Sequence, residues 1–250
     1  PASWLYRREA RAVGALERRA LAECDAVFLV SSAEAEALPA RDGRVLPVDN
    51  GVDAEHFRPD AAERVERADL VFTGTMSYRP NVDGVRWFVR EVWPGVRRCF
   101  PEAVLAVVGR DPSPAAQKLA ETPGVRVTGA VDDVRPYLAG ASAAICPLRM
   151  ARGVQNKVLE AMAMERAVVA SPAALEGLDV EPGRDVLPAD RPEEWVAEIA
   201  SLLEDADRRR SFGRAARRRV LERYDWEACL RPMTELCLSL AEEGAAEGRA

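Results

Sequence analysis

The sequence predicts an α/β fold built on a doubly wound parallel sheet, and two observations predict it. Short apolar runs recur along the chain without polar alternation, as expected of strands covered on both faces. Each run ends in a turn-forming residue and most are followed by a helical pattern, which is the rhythm of βα units.

The elements follow in order. Residues 3–24 carry a helical apolar stripe among Arg, Ala, Leu and Glu. Ala26–Val30 is a short apolar strand, Ser31 and Ser32 cap a helix over 33–38, and Val45–Val48 is a second strand. Residues 49–60, with Asn50-Gly51 and Pro59, form a linker. Then come five runs closed by turn formers: Leu70–Thr73 before Gly74, Val104–Val108 before Gly109, Val125–Thr128 before Gly129, Ala143–Cys146 before Pro147, and Ala167–Ala170 before Ser171. Helices are expected over 81–99, with Asn81 as its cap, and over 113–120, 134–138 and 153–164. From 192 onward the strands stop, and helices remain over 192–205, 207–224 and 226–243. The tail from Gly244 to Ala250 is expected to fray.

Composition narrows the function. The 250 residues are 48% hydrophobic and 30% charged, enough to bury a globular core. A net charge of −6 argues against a nucleic-acid partner. The Arg residues are spread among Glu and Asp, as on solvated helix faces, apart from a local cluster through 208–219. Five cysteines, an odd number with no C-x-x-C pair, point to neither a disulfide framework nor a zinc site, and so to a reducing compartment. A single histidine, His56, excludes a metal site built on several imidazoles. No apolar run approaches the ~18–20 residues that span a bilayer. The first residue is Pro1, so an N-terminally truncated chain is expected.

In a doubly wound sheet, ligands sit beyond the carboxyl ends of the strands. That directs attention to Gly74–Asn81, Gly109–Asp111, Gly129–Asp133, Pro147–Glu160 and Ser171–Glu176. The richest is 147–164. Here a strand leads through a loop to Gly153, read as a helix start, and Lys157 and Glu160 share one face of that helix. A helix N-terminus favours a diphosphate, a lysine can meet its charge, and a carboxylate one turn on can accept from a ribose diol. The same spacing also suits an ordinary surface Lys–Glu pair, and the residues alone leave both readings open.

An ordered series of motifs then resembles the family 4 retaining glycosyltransferases of GT-B fold. It runs through Asn50-Gly51-Val52-Asp53 with Phe57 and Pro59, Phe72-Thr73-Gly74, Pro80-Asn81-x-Asp83, Val108-Gly109 and Gly129-x-Val131-x-Asp133-Val134. It closes with Pro147-Leu148, Leu159-Glu160-Ala161-Met162-Ala163, Val168–Ser171 and Tyr224-x-Trp226. The series resembles most nearly the sugar transferases of exopolysaccharide loci associated with exosortase systems.

The resemblance implies a remnant of an N-terminal acceptor-side domain over 1–48 and an interdomain linker over 49–60. A Rossmann-like nucleotide-sugar-binding domain would follow over 61–224, then a C-terminal helix and tail over 225–250. It implies transfer of a sugar, with retention, from a nucleotide diphosphate sugar to a glycan or lipid-linked acceptor in polysaccharide biosynthesis. No metal or other cofactor is expected. The protein would be cytoplasmic, with peripheral association at the inner membrane. Lys157, Glu160 and Arg79 are its candidates for the chemistry. Gly74, Thr75, Gly109, Gly129, Val131, Arg152, Gly153, Val154 and Asn156 are its candidates for holding the donor. Glu160 falls on the family's ribose-binding glutamate. Arg152 stands where the family has a second glutamate that contacts the donor sugar, and a guanidinium cannot accept hydrogen bonds from sugar hydroxyls. The family's diphosphate-clamping Arg and Lys are also missing; Thr75 and Arg79 stand nearby. For Arg79 an ordinary solvated role is the competing reading, and for Gly129–Asp133 it is a plain turn. A non-catalytic nucleotide-sugar-binding module and a GT-B nucleotide-sugar 2-epimerase are the alternatives.

Overall fold

The computed structural model describes residues 2–30, 32–38, 45–60, 68–151 and 153–247. The chain divides into two compact units, Pro1–Asp49 with Cys229–Ala250, and Asn50–Ala228. In the first unit a helix over Ala2–Glu23 precedes two short parallel strands, β1 (Val27–Leu29) and β2 (Val45–Pro47). A helix over Ser32–Ala37 lies between them in sequence.

The larger unit holds a six-stranded, all-parallel sheet. Its strands are β3 (Ala68–Thr73), β4 (Leu105–Val108), β5 (Val125–Val127), β6 (Ala141–Cys146), β7 (Ala167–Ala170) and β8 (Leu187–Pro188). Their spatial order is β5-β4-β3-β6-β7-β8. Counted within the unit this is 3-2-1-4-5-6, the doubly wound order. Every residue of β4 and β7 is buried, which is why these runs carry no polar alternation. Trp195, fully buried on the helix Pro192–Glu204, packs edge-on against Phe88, with ring centroids 5.5 Å apart.

The predicted fold class and the five strands from Leu70 onward are present. Four details differ. Strand β8 has no counterpart in the sequence reading. It is two residues long and one is Pro188, tolerated because it lies at the sheet edge. Asn81 does not cap its helix. The helix begins at Arg79, after an extended Tyr78, with Pro80 in the first turn, where a missing N–H is harmless. It continues through a π-helical turn, Phe88–Val92, into Trp93–Cys99. Gly153 does not open the next helix, which spans Asn156–Ala163; Gly153 sits three residues earlier at φ 67° and turns the loop. The last helix, Trp226–Glu247, continues through the expected frayed residues 244–247, where Ala245 and Ala246 favour helix. Residues 248–250 lie outside the described residues.

Residues 50–60 are packed rather than extended. Val52 and Ala54 are buried, and the Val52 N–H donates to the Tyr224 carbonyl at 2.7 Å. Asp53 Oδ1 accepts from the N–H groups of Glu55 and His56. Arg217 donates to the carbonyls of Phe57, Ala54 and Ala163, tying this segment to the end of the Asn156–Ala163 helix.

Candidate functional site

The reversal of strand order places β3 between β4 and β6. A cavity of about 870 Å3 opens there, beyond the carboxyl ends of the strands. Its floor is made by glycines that cannot be anything else. A Cβ on Gly109 would lie 1.8 Å from the Gly74 carbonyl oxygen, so the loops after β3 and β4 touch backbone to backbone. The Gly109 N–H donates to the Gly129 carbonyl at 3.2 Å, continuing the contact to the loop after β5.

One wall is the loop after β5, with Val131 and Val134 facing the cavity. Asp133 fixes it. Its carboxylate receives Arg135 Nε at 2.9 and 3.0 Å and Nη2 at 2.7 Å, while Arg135 Nη1 donates to the His56 carbonyl at 3.1 Å. The guanidinium holds Asp133 below the usual carboxylate range.

The opposite wall is the N-terminus of the Asn156–Ala163 helix, contributing Val154, Asn156, Lys157 and Glu160. Gln155, extended at the cap position, makes no side-chain bond to the first N–H groups of the helix. The Val158 N–H donates to the Gln155 carbonyl at 2.8 Å, which leaves the N–H groups of Asn156 and Lys157 and the positive end of the helix for a ligand. Lys157 crosses the floor: its Nζ lies 3.5 Å from Gln155 Oε1 and 5.8 Å from the Phe72 ring centroid. Among the described residues neither Lys157 nor Glu160 enters an ion pair. Burial raises the pKa of Glu160, with the Lys157 ammonium and His56 drawing it back. Beneath the cavity Cys146 is fully enclosed and its thiol is pushed up to about 12, so it stays neutral. The preceding loop is pinned by Ser171, whose Oγ donates to the Leu148 carbonyl. A Cβ on Gly84 would lie 2.5 Å from the Pro147 carbonyl, so the Arg79–Trp87 helix abuts that loop directly.

The structure brings Gly74, Thr75, Gly109, Val131, Val154, Asn156, Lys157 and Glu160 together. Gly129 stands behind the floor, and Gly153 turns the loop; neither lines the cavity. Arg79 is exposed and does not line the cavity, although its neighbours Tyr78 and Asn81 do. Arg152 lies outside the described residues. Ser77, Tyr78 and Asn81 lie in the Gly74–Asn81 segment and Arg110 in the Gly109–Asp111 segment that the sequence pointed to, but none was singled out as a site residue; all four line the cavity. Asn81 lines the cavity, is 3% exposed, and donates from Nδ2 to the Thr75 carbonyl at 2.9 Å. Among the described residues no three His, Cys, Asp or Glu side chains gather to hold a metal ion. Among them, too, no helix is long and apolar enough to cross a membrane.

A parallel sheet of this order, with a cavity at its switch point, is the doubly wound α/β architecture. Residues 67–205 match the family described as Glycosyl transferases group 1, and the chain belongs to that family. It is 30% identical over 243 residues to the alpha-maltose-1-phosphate synthase of Mycolicibacterium smegmatis, covering 84% of this chain and 62% of that protein. Among solved structures it is similar to HepE of Anabaena in complex with UDP and glucose (TM-score 0.70, 16% identity, 90% of this chain, 66% of that one). It is also similar to sucrose-phosphate synthase of Thermosynechococcus elongatus (TM-score 0.69, 21% identity, 91% and 61%). A third similar structure, TarM, has a TM-score of 0.70 and 17% identity, with coverage of 87% and 44%. These structural matches show the fold, the α/β sheet of GT-B glycosyltransferases. The chain spans under two thirds of the lengths of the synthase and of TarM.

Proposed function

We propose that this chain binds the nucleotide-sugar donor of a retaining glycosyltransferase. The observation that carries the reading is the joint placement of Lys157 and Glu160 beside an open helix N-terminus at the switch point of the sheet. In this reading the donor diphosphate lies at the helix mouth against Lys157. Glu160, one turn further, accepts from the ribose hydroxyls. As the sugar leaves, negative charge grows on the diphosphate, and the fixed lysine and helix end stabilise it more in the transition state than before. The Val131–Val134 wall receives the base. The similar HepE and TarM structures are complexes that contain UDP, which supports a nucleotide as the ligand. The acceptor is a glycan or a lipid-linked sugar.

A second reading has one residue in its favour. Arg152 replaces the carboxylate expected to hold the donor sugar, as in a binder that has lost catalysis or changed its sugar.

Calorimetric titration with UDP, GDP and ADP, repeated on Glu160→Ala, tests the proposal. One of the three is expected to bind, and loss of a charged hydrogen bond should weaken it roughly tenfold or more. Equal binding by Glu160→Ala would remove Glu160 from the donor site.

A further inference from the structure

The donor site proposed above contains a diphosphate but only one lysine. A diphosphate carries more charge than one ammonium and a helix end balance, and such groups are held by several charge-assisted hydrogen bonds. The described residues lining the cavity contain one other cation, Arg110, on the loop after β4.

Its place follows from the glycine floor. Lys157 Cε lies 3.1 Å from the point where a Gly74 Cβ would sit, and a Gly109 Cβ would meet the Gly74 carbonyl oxygen at 1.8 Å. Lys157, Gly74 and Gly109 are therefore one continuous contact, and Arg110 is the next residue. Gly109 lies opposite Gly74, and Arg110 leaves the backbone one residue beyond it, among the residues that line the same cavity as Lys157. The backbone there is held firmly. The Met76 N–H donates to the Arg110 carbonyl at 2.8 Å, the Ser113 N–H donates to the Met76 carbonyl at 3.1 Å, and Met76 is fully buried. Asp111 follows at φ 53°, a left-handed conformation that this locked loop imposes. The side chain, by contrast, is uncommitted. It is 72% exposed, and its recorded charge partner is the adjacent Asp111, at 3.9 Å. A guanidinium on a fixed base, lining the same cavity as the lysine and free to move, is placed to close on an anion bound there.

We propose that Arg110 is the second cation of the donor site, engaging the diphosphate from the β4 side while Lys157 engages it from the helix side. This inference rests on the nucleotide reading above.

The test titrates the wild type, Arg110→Gln, Arg110→Lys and Lys157→Gln with UDP, GDP and ADP, and with the matching monophosphates and nucleosides. For the base that binds, Arg110→Gln is expected to weaken the diphosphate roughly tenfold, weaken the monophosphate less and leave the nucleoside unchanged. Arg110→Lys should recover part of the loss. Equal weakening of nucleoside and diphosphate would place Arg110 on the base and overturn the proposal, as would unchanged diphosphate binding by Arg110→Gln. If the wild type binds none of these, or Lys157→Gln binds them as well as the wild type, the donor site itself is misplaced and the role of Arg110 falls with it. Because the Arg110 side chain is exposed, thermal unfolding of Arg110→Gln should match the wild type.

Discussion

Lys157 lies across Gly74: its Cε is 3.1 Å from where a Gly74 Cβ would stand, and Asn81 Nδ2 would be 2.8 Å from the same point. The glycine is thus the space the lysine occupies. Gly74→Ala should push Lys157 and Asn81 aside, weaken nucleotide binding about tenfold, and lower stability by roughly 1–3 kcal/mol through overpacking. Titration and thermal unfolding of the one variant read the two effects separately. Unchanged affinity would show that Lys157 does not need this position.

Glu160 predicts a pH dependence. Burial sets its folded-state pKa above the ordinary 4.5, so the folded protein holds this proton more tightly than the unfolded chain. Its contribution to stability is therefore present below the unfolded value and is lost as pH rises through the raised one. On the proposed reading, nucleotide binding runs the other way, since Glu160 must be a carboxylate to accept from the ribose hydroxyls. Affinity should fall on acidification earlier than an ordinary carboxylate would cause. Glu160→Gln should bind more weakly at neutral pH and lose that part of the pH profile.

The Asn156–Ala163 helix ends in a glutamate where glycine is usual. Glu165 has φ 57°, its N–H donates to the Met162 carbonyl, and the Arg166 N–H donates to the Ala161 carbonyl, the paired bonds of a Schellman end. Glu165→Gly should stabilise the protein by about 1 kcal/mol, because the left-handed cost of a Cβ is removed. The same carbonyl is approached by Gly213, whose Cβ would lie 2.2 Å from the Glu165 oxygen. Gly213→Ala should cost roughly 1–3 kcal/mol. Chemical denaturation of the two variants should move in opposite directions.

Asp185 is 1% exposed and receives Arg219 Nε at 2.8 Å and the Glu181 N–H at 3.0 Å. Arg219→Met removes the nearer of its two cations and leaves Arg184 Nε, 3.8 Å from Asp185 Oδ1. The Arg219 side chain is 22% exposed, so water recovers part of the loss, and a destabilisation of about 2 kcal/mol is expected. The denaturation midpoint should fall while nucleotide affinity stays unchanged, since neither residue lines the cavity.

The sheet was legible because burial on both faces leaves uninterrupted apolar runs such as Leu105–Val108. Lys157 and Glu160 were legible because their spacing places both on one helix face, and the family resemblance then singled them out. Arg110 lies within the Gly109–Asp111 segment that the pattern points to, but nothing in the sequence singles it out; the adjacency of the β3 and β4 ends brings it to the cavity that Lys157 lines. Arg79 is a candidate only as a stand-in for the family's missing clamp residues, and the structure leaves its side chain exposed while Tyr78 and Asn81 beside it line the cavity. Asn81 before a helical pattern looks like a cap; its amide is spent on the Thr75 carbonyl instead. Strand β8 lacked any signal, being two residues of which one is proline.

The central position of β3 also bears on the order of events during folding. Its neighbour β4 follows it in sequence, and β5 follows β4, so these three strands can assemble through successive local crossovers. Its other neighbour is β6, with Ala68 in register with Ala141, a pairing that must close a long loop. A nucleus made of the first three strands would carry Gly74, Arg110 and Val131 but neither Lys157 nor Glu160. Nucleotide therefore has nothing complete to hold until the late pairing is made. It should act as a brake on unfolding rather than a template for folding, lengthening the lifetime of the native sheet without hastening its formation.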